Sequence, residues 1–494
     1  MQYMRGENTD LTRNSTHICL SYCIMKYILG RFGGHRRQRE EALRCRARDS
    51  QRSNPGRNPN EGGILTGGFD MSTTKLVAAA LAIMVASFFM PAHPVVAAER
   101  TVKIAAWGAK SGPLRSFGVN SEAVLKGAMK AINDSGGVKL GDGTMAKMEF
   151  TYYDSACNAD QAISIARKVE SQTQALVGIG PTCSGAAAAM YGIFQKKVDD
   201  KSDTGLQFPI LTDTAIRPGL AKKSQWTFRN VPNEITMYDA LFKWLRSKYP
   251  DVKTIYGGTE TDQAHSRITF AAVIVQKAKK YGFEWVGGGI EGVTGKVIKG
   301  MKNVLKVSKS SNWLLADTNF SVQARAFKRS GADMMIISSH PFTTCGMLKE
   351  LRRQRIKPKV LVGLTSSSSA ETLKGCSAAA EGIYIPTGFA PITPAAAKVA
   401  AAAAANGGAA DLHSAAAWEN AHIIKQVVEA TGVMAKPGTL KADRRKVRDG
   451  LEALAKVNGL MGEIGRVQDE GESIKPYVFV QAQKGAWKVV HDPR

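Results

Sequence analysis

The chain has 494 residues, with 67 Lys and Arg against 42 Asp and Glu and a formal net charge of +25. That length suffices for two domains with a substantial core. The basic residues come in short scattered groups, such as Lys222-Lys223 or Arg352, Arg353 and Arg355. They read as solvated helix faces and argue against a nucleic-acid partner.

Residues 1–70 are Arg-rich and carry the loop-like Ser53-Asn54-Pro55-Gly56-Arg57-Asn58-Pro59-Asn60. They read as a disordered extension or a mis-assigned start. Residues Met71–Ala98 read as a secretory signal. Lys75 forms a short positive region, Leu76–Met90 is an uncharged apolar run, and Val96-Ala97-Ala98 offers small residues for cleavage before Glu99. The apolar run has 15 residues, short of the about 20 that span a bilayer. Export to the periplasm is the expectation.

From residue 99 strand and helix signals alternate. A strand is expected at Thr101–Trp107, then a Gly/Ser/Pro loop to Gly118. A helix capped by Asn120 or Ser121 follows, with Val124, Leu125, Ala128, Met129 and Ile132 at helical spacing. Next come the strand Lys147–Tyr153, the helix Asp160–Ser171, the strand Ala175–Ile179, the helix Gly185–Gln195 and the strand Phe208–Thr212. A second series starts near Val231, with strands at Lys253–Tyr256, Phe283–Gly287, Asp333–Ser338 and Val360–Gly363, a long helix through Lys280 and another at Met347–Gln354. The Ala-rich stretch Ala395–Ala405 and the stretch Trp418–Ala430 read as helices. The tail returns to strands at Tyr477–Gln481 and Ala486–Val490. Repeated βα units imply parallel sheets with helices on both faces, in two similar halves. Ligands of such sheets bind beyond the carboxyl ends of the strands.

The corner Gly178-Ile179-Gly180-Pro181-Thr182-Cys183-Ser184-Gly185 joins a strand to a helix N-terminus. It offers backbone N–H groups, hydroxyls and little bulk, which suits an anionic group. Cys183 lies in it. The other cysteines after residue 98 are Cys157, Cys345 and Cys376. An even number in an oxidising compartment suggests two disulfides, and three pairings are open. Metal-ligand spacings of the CxxC or HxxH type are absent, so neither a metal site nor a cofactor is expected. An enzyme is not expected either. Gly178-Ile179-Gly180 begins a dinucleotide-like pattern, but Cys183 stands at the third-glycine position, and GxSxG, HExxH and P-loop motifs are absent.

Several motifs in order resemble the type I periplasmic substrate-binding proteins of ABC importers, in the branch of the leucine/isoleucine/valine-binding protein. They are Ser111-Gly112-Pro113 with Phe117-Gly118, Ala131-Ile132-Asn133 before Gly136-Gly137, Tyr152–Cys157 then Asp160-Gln161-Ala162, Gly180–Gly185, Phe228–Pro232 and Ala380–Tyr384. The resemblance covers nearly all of the chain after residue 98. It implies an α/β fold of two Rossmann-like lobes with parallel-type sheets flanked by helices, joined by three hinge crossings. Lobe 1 would hold 99–230 plus 387–468, and lobe 2 would hold 231–386 plus 469–494. It further implies a monomer that takes a small-molecule ligand between the lobes and hands it to ABC permease subunits in the inner membrane. A sensor presenting its ligand to a membrane receptor is the alternative. A Cys157–Cys183 disulfide is also implied.

By the same resemblance, Thr182, Cys183 and Ser184 hold a ligand carboxylate, with Thr214 and backbone groups of Ala215 and Ile216 as a second contact segment and Phe117 as an aromatic lid. Arg217 either pairs an anion or is a surface charge. On the other lobe His265, Ser266 and His340 are the expected contacts. Amino-acid binders of this branch place an acidic residue where this chain has Thr365, amid Ser366–Ser369. The expectation is therefore a small organic or aromatic acid or amide rather than a branched-chain amino acid, unless Glu260 or Asp262 supplies the missing charge.

Overall fold

A computed structural model describes residues 100–287 and 311–494. The expected extension 1–70 and the expected signal Met71–Ala98 lie outside the described residues. Among the described residues no helix is long and apolar enough to cross a membrane.

The first sheet forms from β1 (Thr101–Gly108), β2 (Val138–Lys139), β3 (Met145–Asp154), β4 (Val177–Ile179), β5 (Ile210–Thr212) and β6 (Thr227–Arg229), in the order β2-β3-β1-β4-β5-β6. All its neighbours run parallel except the short β2 against β3. Between the strands run α1 (Arg115–Asp134), α2 (Ala159–Gln172) and α3 (Ser184–Met190). The apolar stripe on α1 is buried as its spacing demands. Asn158 caps α2 by accepting the Gln161 N–H.

After β6 the chain enters α4 (Glu234–Lys248) and builds a second sheet. Its strands are β7 (Thr254–Thr259), β8 (Glu284–Gly287), β9 (Met334–Ser338), β10 (Val360–Gly363) and β11 (Ile383–Thr387). These run parallel in the order β11-β10-β9-β7-β8. The helical segments between them are α5 (Ala264–Thr269), α6 (Val275–Lys280), α7 (Ser321–Ser330), α8 (Pro341–Arg353) and α9 (Ala370–Cys376). The five residues Phe270–Ile274 between α5 and α6 form a π turn, so the helix runs on without a break.

The chain then returns to the first core. The helices α10 (Pro394–Ala405), α11 (Leu412–Thr431) and α12 (Leu440–Ala453) follow, and Val399, Ala403, Ile424, Val427 and Val447 share a buried cluster with Val124 and Leu125 of α1. The strands β12 (Lys456–Gly459), β13 (Gly462–Val467) and β14 (Glu472–Ile474) make a small antiparallel sheet. A third passage brings β15 (Val478–Gln483) and β16 (Ala486–His491) antiparallel onto β11 of the second sheet. The fold is thus α/β with parallel-rich sheets flanked by helices.

Disulfides join Cys157 to Cys183 and Cys345 to Cys376, with Cα atoms 5.4 and 4.7 Å apart. The first pins the corner after β4 to the loop after β3. The second ties α8 to α9.

One partly buried and one buried ion pair stitch the passages. Arg229 at the end of β6 donates to Glu472 of β14 and to the carbonyls of Ala215 and Arg217. Lys475, just past β14, donates to Glu419 of α11.

Candidate functional site

The loops after β1, β4 and β5 and those after β7, β9 and β10 meet at a cavity of about 290 Å³. Phe117, Thr182, Cys183, Ser184 and Thr214 line it from the first set of loops. Asp262, Gln263, His265, His340 and Ser366 line it from the second, and His413 of α11 completes it. Seven expected contacts thus reach one cavity.

The corner after β4 depends on Gly180, whose φ of +120° places it where a Cβ would strike the Trp107 carbonyl. The Gly180–Pro181 bond is cis. Thr182 Oγ1 accepts the Ala109 N–H at 3.0 Å, which fixes the loop after β1. Ser184 Oγ accepts the Arg217 N–H at 3.2 Å, so the hydroxyl proton is left to point elsewhere. The buried Thr214 hydroxyl lies beside the Asp213 carboxyl.

Ala215 and Ile216 do not line the cavity. Ala215 packs in the core with Trp107 and Phe208 while its carbonyl serves Arg229, and Ile216 packs against Val231 and Leu412. Arg217 lies outside the lining as well.

Behind Thr214 sits Asp213, fully buried, accepting from Ser121 Oγ at 2.8 Å. Burial drives its pKa up to about 6, against the pull of Ser121. The folded state holds this proton more tightly than the unfolded chain does. Its stabilising share is therefore present near pH 4 and lost as the pH rises through about 6, a change of about 3 kcal/mol. Asp213→Asn keeps an acceptor for Ser121 and carries no charge. We expect it to match the wild type at pH 4 and to exceed its stability at pH 7.5, read by urea unfolding at both pH values.

On the second wall two buried carboxylates hold the histidines. Glu234, at the start of α4, is bound by His265 Nε2 at 3.0 Å, by Thr269 Oγ1 at 2.6 Å and by the Thr365 hydroxyl. Glu260, one residue past β7, accepts from Ser266 Oγ at 2.7 Å, from the His340 backbone at 3.1 Å, from His340 Nδ1 and from Thr343. Burial alone would raise both carboxyl pKa values. The charge of the paired imidazole and the hydrogen bonds outweigh it, and both end below the usual range. Thr365 and Ser266 thus serve the carboxylates behind the histidines and do not line the cavity.

Glu260 therefore has no free lone pair to offer a ligand ammonium. Asp262 does line the cavity, and its Oδ1 accepts the Leu315 N–H at 3.0 Å.

His413 and Glu234 are the residues that sequence reasoning passed over. His413 lies five residues before Trp418, ahead of the expected helix start. The signal was present: Asp411 accepts the N–H groups of His413 and Ser414, while the Ser414 hydroxyl bonds the Asp411 N–H. That capping box starts the helix early. Among the described residues no group of His, Cys, Asp and Glu is arranged to hold a metal ion.

Comparison with known proteins adds three findings. Residues 101–293 and 296–486 match the family model described as periplasmic binding protein. A leucine-, isoleucine-, valine-, threonine- and alanine-binding protein of Pseudomonas aeruginosa is 24% identical over 247 residues, 49% of this chain and 55% of that protein. A Leu/Ile/Val-binding protein of Citrobacter freundii is 34% identical over 100 residues, 20% of this chain and 26% of that protein. The chain thus spans about half the length of the first of these relatives and a quarter of the second.

Among solved structures, a leucine binding protein from Thermotoga maritima superposes with a TM-score of 0.63 at 16% identity, covering 79% of this chain and 99% of that one. A solute binding protein from R. palustris in complex with 4-hydroxybenzoate gives 0.62 at 17%, covering 79% and 96%. At these identities the likeness is one of fold.

Proposed function

The chain belongs to the periplasmic binding protein family, whose members bind solutes for transporters and are not enzymes, and from that premise we propose that it captures a small carboxylate-bearing solute in the periplasm for an ABC permease. Two lobes, 99–230 plus 387–468 and 231–386 plus 469–494, would close on the solute as a monomer.

The observation that carries this reading is the cavity between the strand ends. One wall has the Thr182–Ser184 corner, where small donors stand at the N-terminus of α3. The other has two histidines backed by carboxylates whose hydrogen bonds are taken. This supports a small organic acid over a branched-chain amino acid. An α-amino group would find Asp262 as the sole carboxylate lining the cavity among the described residues.

The test is calorimetry on protein stripped of carried-over ligand by unfolding and refolding. Organic acids are expected to bind, and Ser184→Ala to weaken them about 10–100-fold, the value of one hydrogen bond to a charged group. Micromolar leucine binding with no response to organic acids would overturn the reading.

A further inference from the structure

The strongest unexplained feature of the cavity is His413. The residue is 2% exposed, lines the cavity, and has no hydrogen-bond partner on either ring nitrogen among the described residues. A buried polar group without a partner is costly, on the order of 1–3 kcal/mol. The protein keeps two of them on one ring, in a residue that lines the cavity.

Around this ring the chemistry is consistent. Phe117 meets His413 edge-on at 4.8 Å between centroids and lies 6.1 Å from His340. His340 uses Nδ1 for Glu260 and Ser266, and its Nε2 has no protein partner among the described residues. A carboxylate on Nδ1 fixes a proton there and leaves Nε2 for a ligand. Burial, with the nearby charges of His265 and His340, pushes the His413 pKa well below its usual value. His413 is therefore a neutral imidazole that offers one N–H donor and one bare acceptor.

We infer that His413, with His340 Nε2, receives a hydroxyl group of the solute, and that the solute is a small hydroxylated monocarboxylic acid. This rests on the solute-binding reading above. A hydroxyl both donates and accepts, so it satisfies a neutral imidazole in either tautomer. An ammonium only donates, and with Glu234 and Glu260 occupied it would be left with Asp262, whose Oδ1 already accepts the Leu315 N–H. A second carboxylate only accepts and would leave the bare nitrogen of His413 without a proton. Phe117 supplies an apolar face that suits an aromatic or short aliphatic body.

The experiment titrates the refolded full chain with benzoate, 4-hydroxybenzoate, terephthalate and leucine, in the wild type, His413→Phe and His413→Gln. The wild type is expected to bind 4-hydroxybenzoate at least tenfold more tightly than benzoate, because a site built for a hydroxyl penalises its absence. His413→Phe is expected to cut that preference below threefold, read as the ratio of the two affinities within the variant. His413→Gln, with a donor and an acceptor, is expected to retain part of it, and thermal melts of both variants report folding. A preference unchanged in His413→Phe overturns the inference, as does tighter binding of benzoate or terephthalate than of 4-hydroxybenzoate. Benzoate binding alone leaves the solute-binding reading standing, whereas leucine binding with no response to any acid overturns both.

Discussion

Replacing Lys475 by Met is expected to cost about 3–5 kcal/mol of folding stability, the usual price of breaking a buried ion pair from one side. The Lys475 side chain is 2% exposed and that of its partner Glu419 5%. The same carboxylate also accepts Asn230 Nδ2 at 3.0 Å and the Leu460 N–H at 2.9 Å. It therefore gathers the end of β6, helix α11, the turn between β12 and β13, and the chain past β14. Without the ammonium it stays desolvated with half its compensation gone. The double variant Lys475→Met/Glu419→Gln removes both charges and keeps an acceptor, so most of the loss should return. Urea unfolding of the three proteins reads the effect, and a single variant within 1 kcal/mol of the wild type would refute it.

Glu260→Leu is expected to be comparably damaging, at about 3–5 kcal/mol, and to weaken solute binding as well. Four donors on Ser266, His340 and Thr343 converge on this carboxylate. An isobutyl group fills the space and satisfies none of them. His340 loses the group that orients its ring, so its cavity-facing nitrogen is no longer held in place. Glu260→Gln should fall between the two, since the amide still accepts. The pH dependence carries a sign. The Glu260 pKa is lowered in the fold, so its stabilising share is present above the ordinary carboxylate pKa and lost as the pH falls below it. The gap between wild type and Glu260→Gln should narrow in acid. A gap that widens there would contradict the pairing with His340.

Much of the fold was legible because parallel βα units write themselves in a regular alternation. Strands β1, β3 and β4 carry strong local patterns and appear within a few residues of their expected bounds, whereas helix α1 begins at Arg115, ahead of the expected caps Asn120 and Ser121, which lie buried within it. The elements that escaped have weaker signals. Strand β6 has three residues, and β12 to β14 are short strands that take their stability from pairing with one another. Helix α12 is heavily charged and hides its stripe of Val447 and Leu451 among arginines and lysines. The same divide runs through the site. Residues near a strand end, such as Ser184, Thr214 and His340, announce themselves by position. Glu234 does not, because its partner His265 is 31 residues away and the pair exists only once α4 and α5 meet. Ala215 and Ile216 were legible as part of the right loop, and their side chains turn into the packing, outside the cavity lining.

The π turn at Phe270–Ile274 acts as a phase shifter. In a regular α-helix each residue advances the spiral by about 100°. Winding these same five residues as regular α-helix, with none removed, would turn everything upstream by roughly that angle relative to α6. Val275 and Ala278 would keep their places in the core. His265 would swing out of line with Glu234, and Ser266 out of line with Glu260. The alignment of one whole wall of the cavity with its counter-charges is thus set by the winding of five apolar residues that touch neither.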